Sequence, residues 1–271
     1  MIQQTPEQGI GARFSAASAT YEESARVQAA VAARLAELIE AEMAGHRVDR
    51  ILEVGCGTGL LTRRLVALFP DAEVTAIDIA DAMIRVAKDA VGRQARVRWV
   101  ASGVAGFRTG QRFPLIVSSS ALHWITPLDS ALRRLAGMLA PGGTIAIALM
   151  VDGTLRELHE LRRRVAPTKI PPGRLPTHAD VEAALSSAGL CLRVAERVTH
   201  RDAYASGWDF LRTIHALGLT GGAVSHGALP LNRRELGQLA GEYDRTCRMP
   251  DGRVSATYEV LYGLATSGGA S

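Results

Sequence analysis

The sequence contains few cysteines, few aromatic residues and no long apolar run. Its 271 residues include three cysteines and 5% aromatic side chains. The cysteines, Cys56, Cys191 and Cys247, are far apart, and none belongs to a Cys-x-x-Cys pair or a Cys/His cluster. We therefore expect neither a disulfide framework nor a zinc or other metal site. No apolar run approaches the roughly 18 residues of a membrane-spanning helix, so we expect a soluble protein without a membrane partner.

The chain also lacks a strong excess of charge. Lys plus Arg number 31 and Asp plus Glu number 27, which gives a formal net charge of +4. This small excess favours acidic partners. No basic run is interleaved with aromatic residues as in a nucleic-acid groove, so we expect no nucleic-acid partner. Residues 1–11 lack the basic-then-apolar pattern of a secretory signal, which predicts a cytoplasmic protein.

The N-terminal region has helical periodicity. Thr20 and Glu23 have the spacing of a capping box, in which each side chain satisfies a free backbone donor of the other residue. Val27, Val31 and Leu35 then recur on one helical face. We predict an amphipathic helix ahead of the core.

Strand-like and helix-like segments alternate between residues 50 and 150, which predicts an α/β fold with a doubly wound, mostly parallel sheet. A chain of this length can form one catalytic domain with an insertion. We predict four regions: an N-terminal helical segment over 1–45, the core over 46–150, a helical lid and substrate-binding region over 151–250, and a last core strand with a flexible tail over 251–271.

A dense run of glycines follows the first predicted strand. Gly55, Gly57 and Gly59 stand between strand Arg50–Val54 and a predicted helix. Such a turn presents backbone N–H groups and a helix N-terminus to a ligand. A dinucleotide-binding turn would place its third glycine where this chain has Leu60. A structural turn without a ligand remains the other alternative.

The next two strands end in polar residues. Asp78 ends the second strand about twenty residues after the glycine turn, where a carboxylate can accept the ribose hydroxyls of a nucleoside. As the N-cap of the following helix, Asp81 fits better than Asp78. Ser118, Ser119 and Ser120 end the fourth strand at the switch region of the sheet, where ligands of open sheets collect.

The heptapeptide from Glu53 to Gly59, Glu-Val-Gly-Cys-Gly-Thr-Gly, resembles motif I of the class I methyltransferases. The resemblance implies a Rossmann-like fold that binds S-adenosylmethionine (SAM) and releases S-adenosylhomocysteine (SAH). It also implies that Glu53 orients the glycines or the methionine amino group, and that Ile79 and Met83 flank the adenine. Met83 is equally well explained as core, because it shares a helical face with other apolar residues.

The chain departs from that family after the third strand. An acidic residue there usually meets the adenine amino group, whereas this chain has Ser102 and Gly103. Ser102 or a backbone carbonyl would have to substitute in binding the cofactor.

Four fragments outside this region carry a more specific resemblance. They are Arg13-Phe14-Ser15 through Tyr21 to Gln28, Ser120 to Trp124, Gly153 to Leu158, and Thr257 to Gly263. Together they resemble the BioC-type malonyl-acyl-carrier-protein O-methyltransferases of biotin synthesis. The resemblance implies methyl transfer to the free carboxylate of malonyl-acyl-carrier protein or malonyl-CoA.

The implied reaction requires alignment more than acid–base chemistry, because a carboxylate is already ionised at neutral pH. The resemblance implies that Tyr21 closes over cofactor and substrate, and that His123 and Trp124 line the pocket. A helix-capping or packing role for His123 is an equal alternative. Arg212 is our candidate to hold the malonyl carboxylate, and a solvated arginine is the alternative. His215 is also assigned to substrate binding. From His215 onwards, however, the chain departs from the family's Lys-Gly-x-Gly-Ala-Thr pattern.

Other functions stay open. The motifs from Ala121 to Trp124 and from Asp251 to Tyr258 also resemble the methyltransferase-like assembly factor of mitochondrial complex I, which would modify a protein side chain. A trans-aconitate-type methyltransferase of small carboxylic acids is a further alternative. The missing acidic residue near Ser102 favours a fourth alternative, a nucleoside-binding scaffold without turnover.

Overall fold

The computed structural model describes residues 6–92, 96–169, 174–219 and 230–267. Within these ranges a seven-stranded sheet has the order β3-β2-β1-β4-β5-β7-β6. Its strands are β1 Arg50–Val54, β2 Glu73–Asp78, β3 Val97–Ala101, β4 Phe113–Ser119, β5 Leu139–Met150, β6 Leu190–Tyr204 and β7 Val254–Ser267. Strand β7 is antiparallel to β5 and β6, and the other pairings are parallel. The α/β class with a doubly wound, mostly parallel sheet is confirmed.

Helices cover both faces of this sheet. They are α1 Pro6–Ala17, α2 Tyr21–Ser24, α3 Arg26–Glu42, α4 Thr62–Leu68, α5 Asp81–Val91, α6 Leu128–Ala136, α7 Arg156–Val165, α8 His178–Ser187, α9 Gly207–Ala216 and α10 Arg233–Thr246. Successive strand residues belong to opposite apolar cores: Ile51 packs in one cluster and Leu52 in the other. Burial on both faces is what makes β1 an almost continuous apolar run.

The strand order positions the functional site. From β1 the chain moves outward to β2 and β3, and it then returns to place β4 and β5 on the other side of β1. The crevice at the carboxyl ends of β1 and β4 is therefore the switch point at which open α/β sheets bind ligands. The glycine turn that follows Val54 lies at this crevice, where Gly55 N–H donates to Ile77 O over 2.8 Å.

The N-terminal region differs from our prediction. Helix α1 is not predicted by the sequence pattern, since Pro6–Ala17 contains a proline and two glycines that have low helix propensity. The expected capping box at Thr20 is wrong, because the Thr20 side chain makes no capping hydrogen bond. With φ −116° and ψ 4°, Thr20 lacks the extended backbone of a typical N-cap. The helix that Thr20 precedes is four residues long, and α3 starts after Ala25.

The region from 151 to 250 is more than a helical lid. Strand β6 within it pairs with β7 from Leu190 to Tyr204 and forms one edge of the main sheet. Helix α10 packs against α7 and α9. The loops that we expected over 167–176 and 218–227 lie partly outside the described residues. No helix in the described ranges has the length and hydropathy needed to cross a membrane.

Candidate active site

A cavity that is open to solvent lies at the carboxyl ends of β1, β2 and β4. Its wall combines the ends of these strands with side chains from α1, α2 and α3. Most of the predicted site residues line it: Tyr21, Glu53, Gly55, Gly57, Asp78, Ile79, Met83, Ser102, Gly103 and Trp124. Segments far apart in sequence thus converge on one site at the predicted position.

The glycine turn forms the floor of the cavity. Gly55 and Gly57 have φ values of 72° and 53°, in the left-handed region that favours glycine. A Cβ atom at Gly55 would overlap the Cβ of Ala121, which follows β4. The turn therefore needs glycine for two reasons: its backbone angles and the close approach of β4.

Gly59 and Ser118 support this floor from outside the cavity. A Cβ at Gly59 would lie 3.3 Å from the Ala87 Cβ, so this glycine lets the turn pack against α5. The Ser118 hydroxyl is buried and donates to Val54 O over 2.9 Å, which ties β4 to β1. Neither residue lines the cavity, so the structure gives these two predicted cofactor-binding residues a supporting position instead of a place in the wall.

Asp78 connects the second strand to the glycine turn. Its Oδ2 accepts from Gly57 N–H over 2.9 Å, and its Oδ1 accepts from Ala80 N–H over 2.8 Å. Burial raises the pKa of this carboxyl, and the backbone hydrogen bonds oppose the rise. The expected N-cap at Asp81 is wrong, because Ala80 is the N-cap of α5 and Asp81 is its first helical residue. A carboxylate has about four acceptor positions, so it can also accept ribose hydroxyls.

Glu53 places a second carboxyl in the cavity wall. The residue is 1% exposed, and its Oε2 accepts from the Thr62 hydroxyl over 2.6 Å. Burial raises the pKa of Glu53 to about 8; the Thr62 hydrogen bond opposes this rise and the neighbouring Asp78 adds to it. In the free protein near pH 7 this side chain is therefore mostly neutral.

The ionisable side chains that line the described wall are all acidic. Glu53 and Asp78 line the cavity, and no Lys, Arg or His among the described residues does. Among these residues, no group of three or more His, Cys, Asp or Glu side chains is placed to hold a metal ion. Because two carboxyls without counter-charges favour a cation, the cavity suits a positively charged ligand.

Aromatic side chains form the roof of the cavity. The ring centroids of Phe14 and Trp124 lie 5.5 Å apart at an interplanar angle of 86°, and those of Phe14 and Tyr21 lie 6.4 Å apart. Burial, with a smaller contribution from the Asp78 carboxylate, raises the pKa of the Tyr21 phenol well above its ordinary value. Tyr21 is therefore a neutral hydrogen-bond donor. Edge-to-face packing of this kind holds rings in fixed positions.

Comparisons with known proteins agree with this geometry. The family profile described as a methyltransferase domain matches residues 52–145. The malonyl-acyl-carrier-protein O-methyltransferase of Geobacter sulfurreducens is 35% identical over 264 residues, which cover 93% of this chain and 95% of that protein. The chain belongs to the malonyl-acyl-carrier-protein O-methyltransferase family. This confirms the family that we identified from the sequence.

A further relative and a solved structure extend the comparison. The biotin biosynthesis bifunctional protein BioCD of Bordetella avium is 36% identical over 263 residues, covering 95% of this chain and 52% of that protein. The methyltransferase chain thus spans about half the length of that relative. The crystal structure of Burkholderia thailandensis 1,6-didemethyltoxoflavin-N1-methyltransferase, with bound 1,6-didemethyltoxoflavin and SAH, has a TM-score of 0.56 at 17% identity. The aligned region covers 98% of this chain and 92% of that chain, which shows a shared fold.

His123 does not line the cavity of this methyltransferase. Its ring is 4% exposed, and Nδ1 accepts from Met150 N–H over 3.4 Å. Burial lowers the pKa of His123 to about 3, so the imidazole is neutral at every pH at which the enzyme would be assayed. The prediction that His123 lines the pocket is wrong: Trp124, the next residue, turns to the cavity instead.

Arg212 and His215 also lie outside the cavity. Both are exposed on α9, whose buried face consists of Gly207, Phe210 and Ile214. The Arg212 side chain is 74% exposed and lies 3.9 Å from Asp209. A solvated guanidinium on the outer face of α9 cannot grip a carboxylate in the cavity, so the structure does not bring this predicted group to the site.

We expect His123→Ala to destabilise the methyltransferase without disabling its site. Loss of the buried ring leaves a cavity next to β5, and unfolding in urea should show a loss of about 2–3 kcal/mol. Binding of SAH, measured by calorimetry, should change little. Trp124→Ala is the matched comparison, since removal of that ring from the cavity wall should weaken binding. A large loss of affinity in His123→Ala at unchanged stability would contradict this assignment.

The adenine side of the cavity includes Ser102 and Gly103, where the sequence departs from the family pattern. Ile79 is 37% exposed and lines the wall, whereas Met83 is 1% exposed and packs both in a core cluster and against the cavity. The Ser102 hydroxyl donates to Gly103 O over 3.0 Å. No acidic side chain from the end of β3 lines the described wall.

Several residues of the cavity wall are not predicted from the sequence. Phe14 belongs to the helix that we did not predict. Gln28 and Thr58 each carry a buried oxygen that has no hydrogen-bond partner in the described structure, and both line the cavity. Gln28 had a detectable signal, because it is a polar residue on the otherwise apolar stripe of α3.

Proposed function

We propose that this chain is a SAM-dependent O-methyltransferase that esterifies the free carboxylate of malonyl-acyl-carrier protein in early biotin biosynthesis. Malonyl-CoA is the alternative acceptor. The 35% identity to the Geobacter sulfurreducens enzyme over nearly the whole length of both chains carries the proposal. We also propose a cytoplasmic location, supported by three cysteines that are free thiols.

The cavity suits SAM in charge. SAM carries a sulfonium and an α-ammonium, and the wall offers the Glu53 and Asp78 carboxyls without a competing cation among the described residues. A dinucleotide would bring a pyrophosphate beside these carboxyls, which favours SAM over a dinucleotide. We assign Asp78 to the ribose, Ile79 and Met83 to the adenine, and Glu53 to the methionine end, with Gly55 and Gly57 permitting close approach.

When bound, SAM supplies an electrophilic methyl group on a good leaving group. The chain itself has to orient the acceptor and exclude water. The acceptor carboxylate is ionised at pH 7 and needs no general base. In keeping with this, none of the described residues that line the cavity is a histidine. Phe14, Tyr21 and Trp124 cover the cavity with aromatic surface, which excludes water and attracts a sulfonium through cation–π interaction.

We assign the orientation of the acceptor to Tyr21. Its phenol is neutral and can donate a hydrogen bond to the acceptor's anionic oxygen, a role that the exposed Arg212 cannot fill from α9. We further propose that residues 1–45 act as the closing segment, because α1, α2 and α3 all contribute to the cavity wall. Alignment of this kind accelerates the reaction by raising the effective concentration of the acceptor.

The test is methyl transfer from radiolabelled SAM to malonyl-acyl-carrier protein, with malonyl-CoA and trans-aconitate as parallel acceptors. Base-labile label on the malonyl thioester would support the proposal. Label on trans-aconitate alone would favour a small-acid methyltransferase. Tight SAH binding without label on any acceptor would favour a protein-modifying enzyme or a scaffold without turnover.

In this assay we expect Tyr21→Phe to lower kcat/KM by roughly 10- to 100-fold, the usual effect of losing a hydrogen bond to a charged group. The Kd for SAH should stay close to the wild-type value, because the ring still covers the cavity. Arg212→Ala is the control and should retain nearly full activity on malonyl-CoA. Unchanged kcat/KM in Tyr21→Phe would contradict the role given to the phenol.

A further inference from the structure

Gln28 is a buried polar residue without an evident structural role. It is 4% exposed and its Oε1 has no hydrogen-bond partner in the described structure. The remaining buried face of α3, which includes Val31 and Leu35, is almost wholly apolar. A buried acceptor without a donor is costly. Since Gln28 lines the cavity, a ligand that occupies the cavity can supply the missing donor.

The packing of the N-terminal helices indicates which part of a ligand Gln28 would meet. Helix α1 packs against α5, near the adenine side marked by Ile79 and Ser102. Helix α3 instead packs against β4 and β5, on the far side of β1. Ala32, one turn after Gln28, lines the cavity as well, so this face of α3 forms a continuous part of the wall.

We propose that Gln28 binds the amino-acid group of SAM, with its Oε1 accepting a hydrogen bond from the α-ammonium. This inference rests on the proposed function. With the ribose on Asp78 and the adenine towards β3, the methionine end lies on the β4 side, where α3 forms the wall. A carboxamide matches both ends of an α-amino acid, because its oxygen accepts from the ammonium and its NH₂ donates to the carboxylate.

The test compares two nucleosides that differ in this group. SAH carries the amino-acid group, whereas 5′-methylthioadenosine keeps the adenosine and the sulfur without it. In Gln28→Leu, calorimetry should show an approximately 10- to 100-fold weaker Kd for SAH, the expected loss of a hydrogen bond to a charged group. The Kd for 5′-methylthioadenosine should remain at the wild-type value.

The matched control is Gln238→Leu, the same substitution at an exposed position of α10, which should leave both affinities unchanged. If Gln28→Leu does not fold, the unbranched Gln28→Met serves in its place. Equal losses for both nucleosides, or no loss for either, would overturn the proposal. So would unchanged SAH affinity with a raised KM for the acceptor. Failure of the wild-type protein to bind either nucleoside would instead refute the proposed function.

Discussion

Gly55→Ala is expected to weaken SAH binding more than about 100-fold and to destabilise the fold by about 2–4 kcal/mol. The backbone at this position has a φ of 72°, which an L side chain adopts at a cost. The added Cβ would also overlap the Cβ of Ala121, so either the glycine turn or the segment after β4 must move. Both form part of the cavity wall. Calorimetry with SAH and unfolding in urea measure the two effects.

The double variant Gly55→Ala/Ala121→Gly separates the two causes. Removal of the Ala121 Cβ relieves the overlap and leaves the backbone strain, so affinity should recover in part. Gly59→Ala is the control: it also has a positive φ, but its new Cβ would meet side chains of α5, outside the cavity. It should lose stability with a smaller loss of SAH affinity. A double variant no better than Gly55→Ala would rule out the overlap as a cause.

The second large effect concerns pH. Burial raises the pKa of Glu53 from its ordinary 4.5 to about 8. The free site is therefore mostly protonated at pH 7, whereas a cationic ligand prefers the carboxylate. The affinity for SAM should rise with pH, by up to tenfold per pH unit between about pH 6.5 and 8, and should level off above pH 8. Calorimetry in buffers of different ionisation enthalpy should detect release of a proton on binding.

Glu53→Gln is the control for this pH dependence, because it keeps an acceptor for the Thr62 hydroxyl and cannot titrate. In this variant the affinity for SAM should be lower and nearly independent of pH over the same range. A pH dependence that survives unchanged in Glu53→Gln would assign the titration to another group, such as Asp78.

The stability of the free protein should change in the opposite direction. In the unfolded chain Glu53 ionises near 4.5, whereas in the folded protein it keeps its proton up to about 8. The stabilisation from this group is thus fully present below pH 4.5 and is lost as pH rises through 8. Bound SAM should offset the loss, because it favours the ionised carboxylate.

Local sequence patterns determined much of the framework. Strand β1 has the predicted bounds, since an apolar run is a property of neighbouring residues. The glycine turn between Gly55 and Gly59 is equally local, because its positive φ angles require glycine. These features, with the motif resemblance, sufficed to predict the α/β class and the methyltransferase family.

Only the tertiary structure decided which side chains face the cavity. Neighbours in sequence diverge: Trp124 lines the wall, while His123 is buried beside β5. Gln28 reaches the site because α3 packs across β4 and β5, and Arg212 does not because its face of α9 points to solvent. Such contacts join segments far apart in the chain, so local periodicity carries no record of them. The sequence by itself determined the turn that can bind a nucleoside; the packing of distant helices determined the groups that surround it.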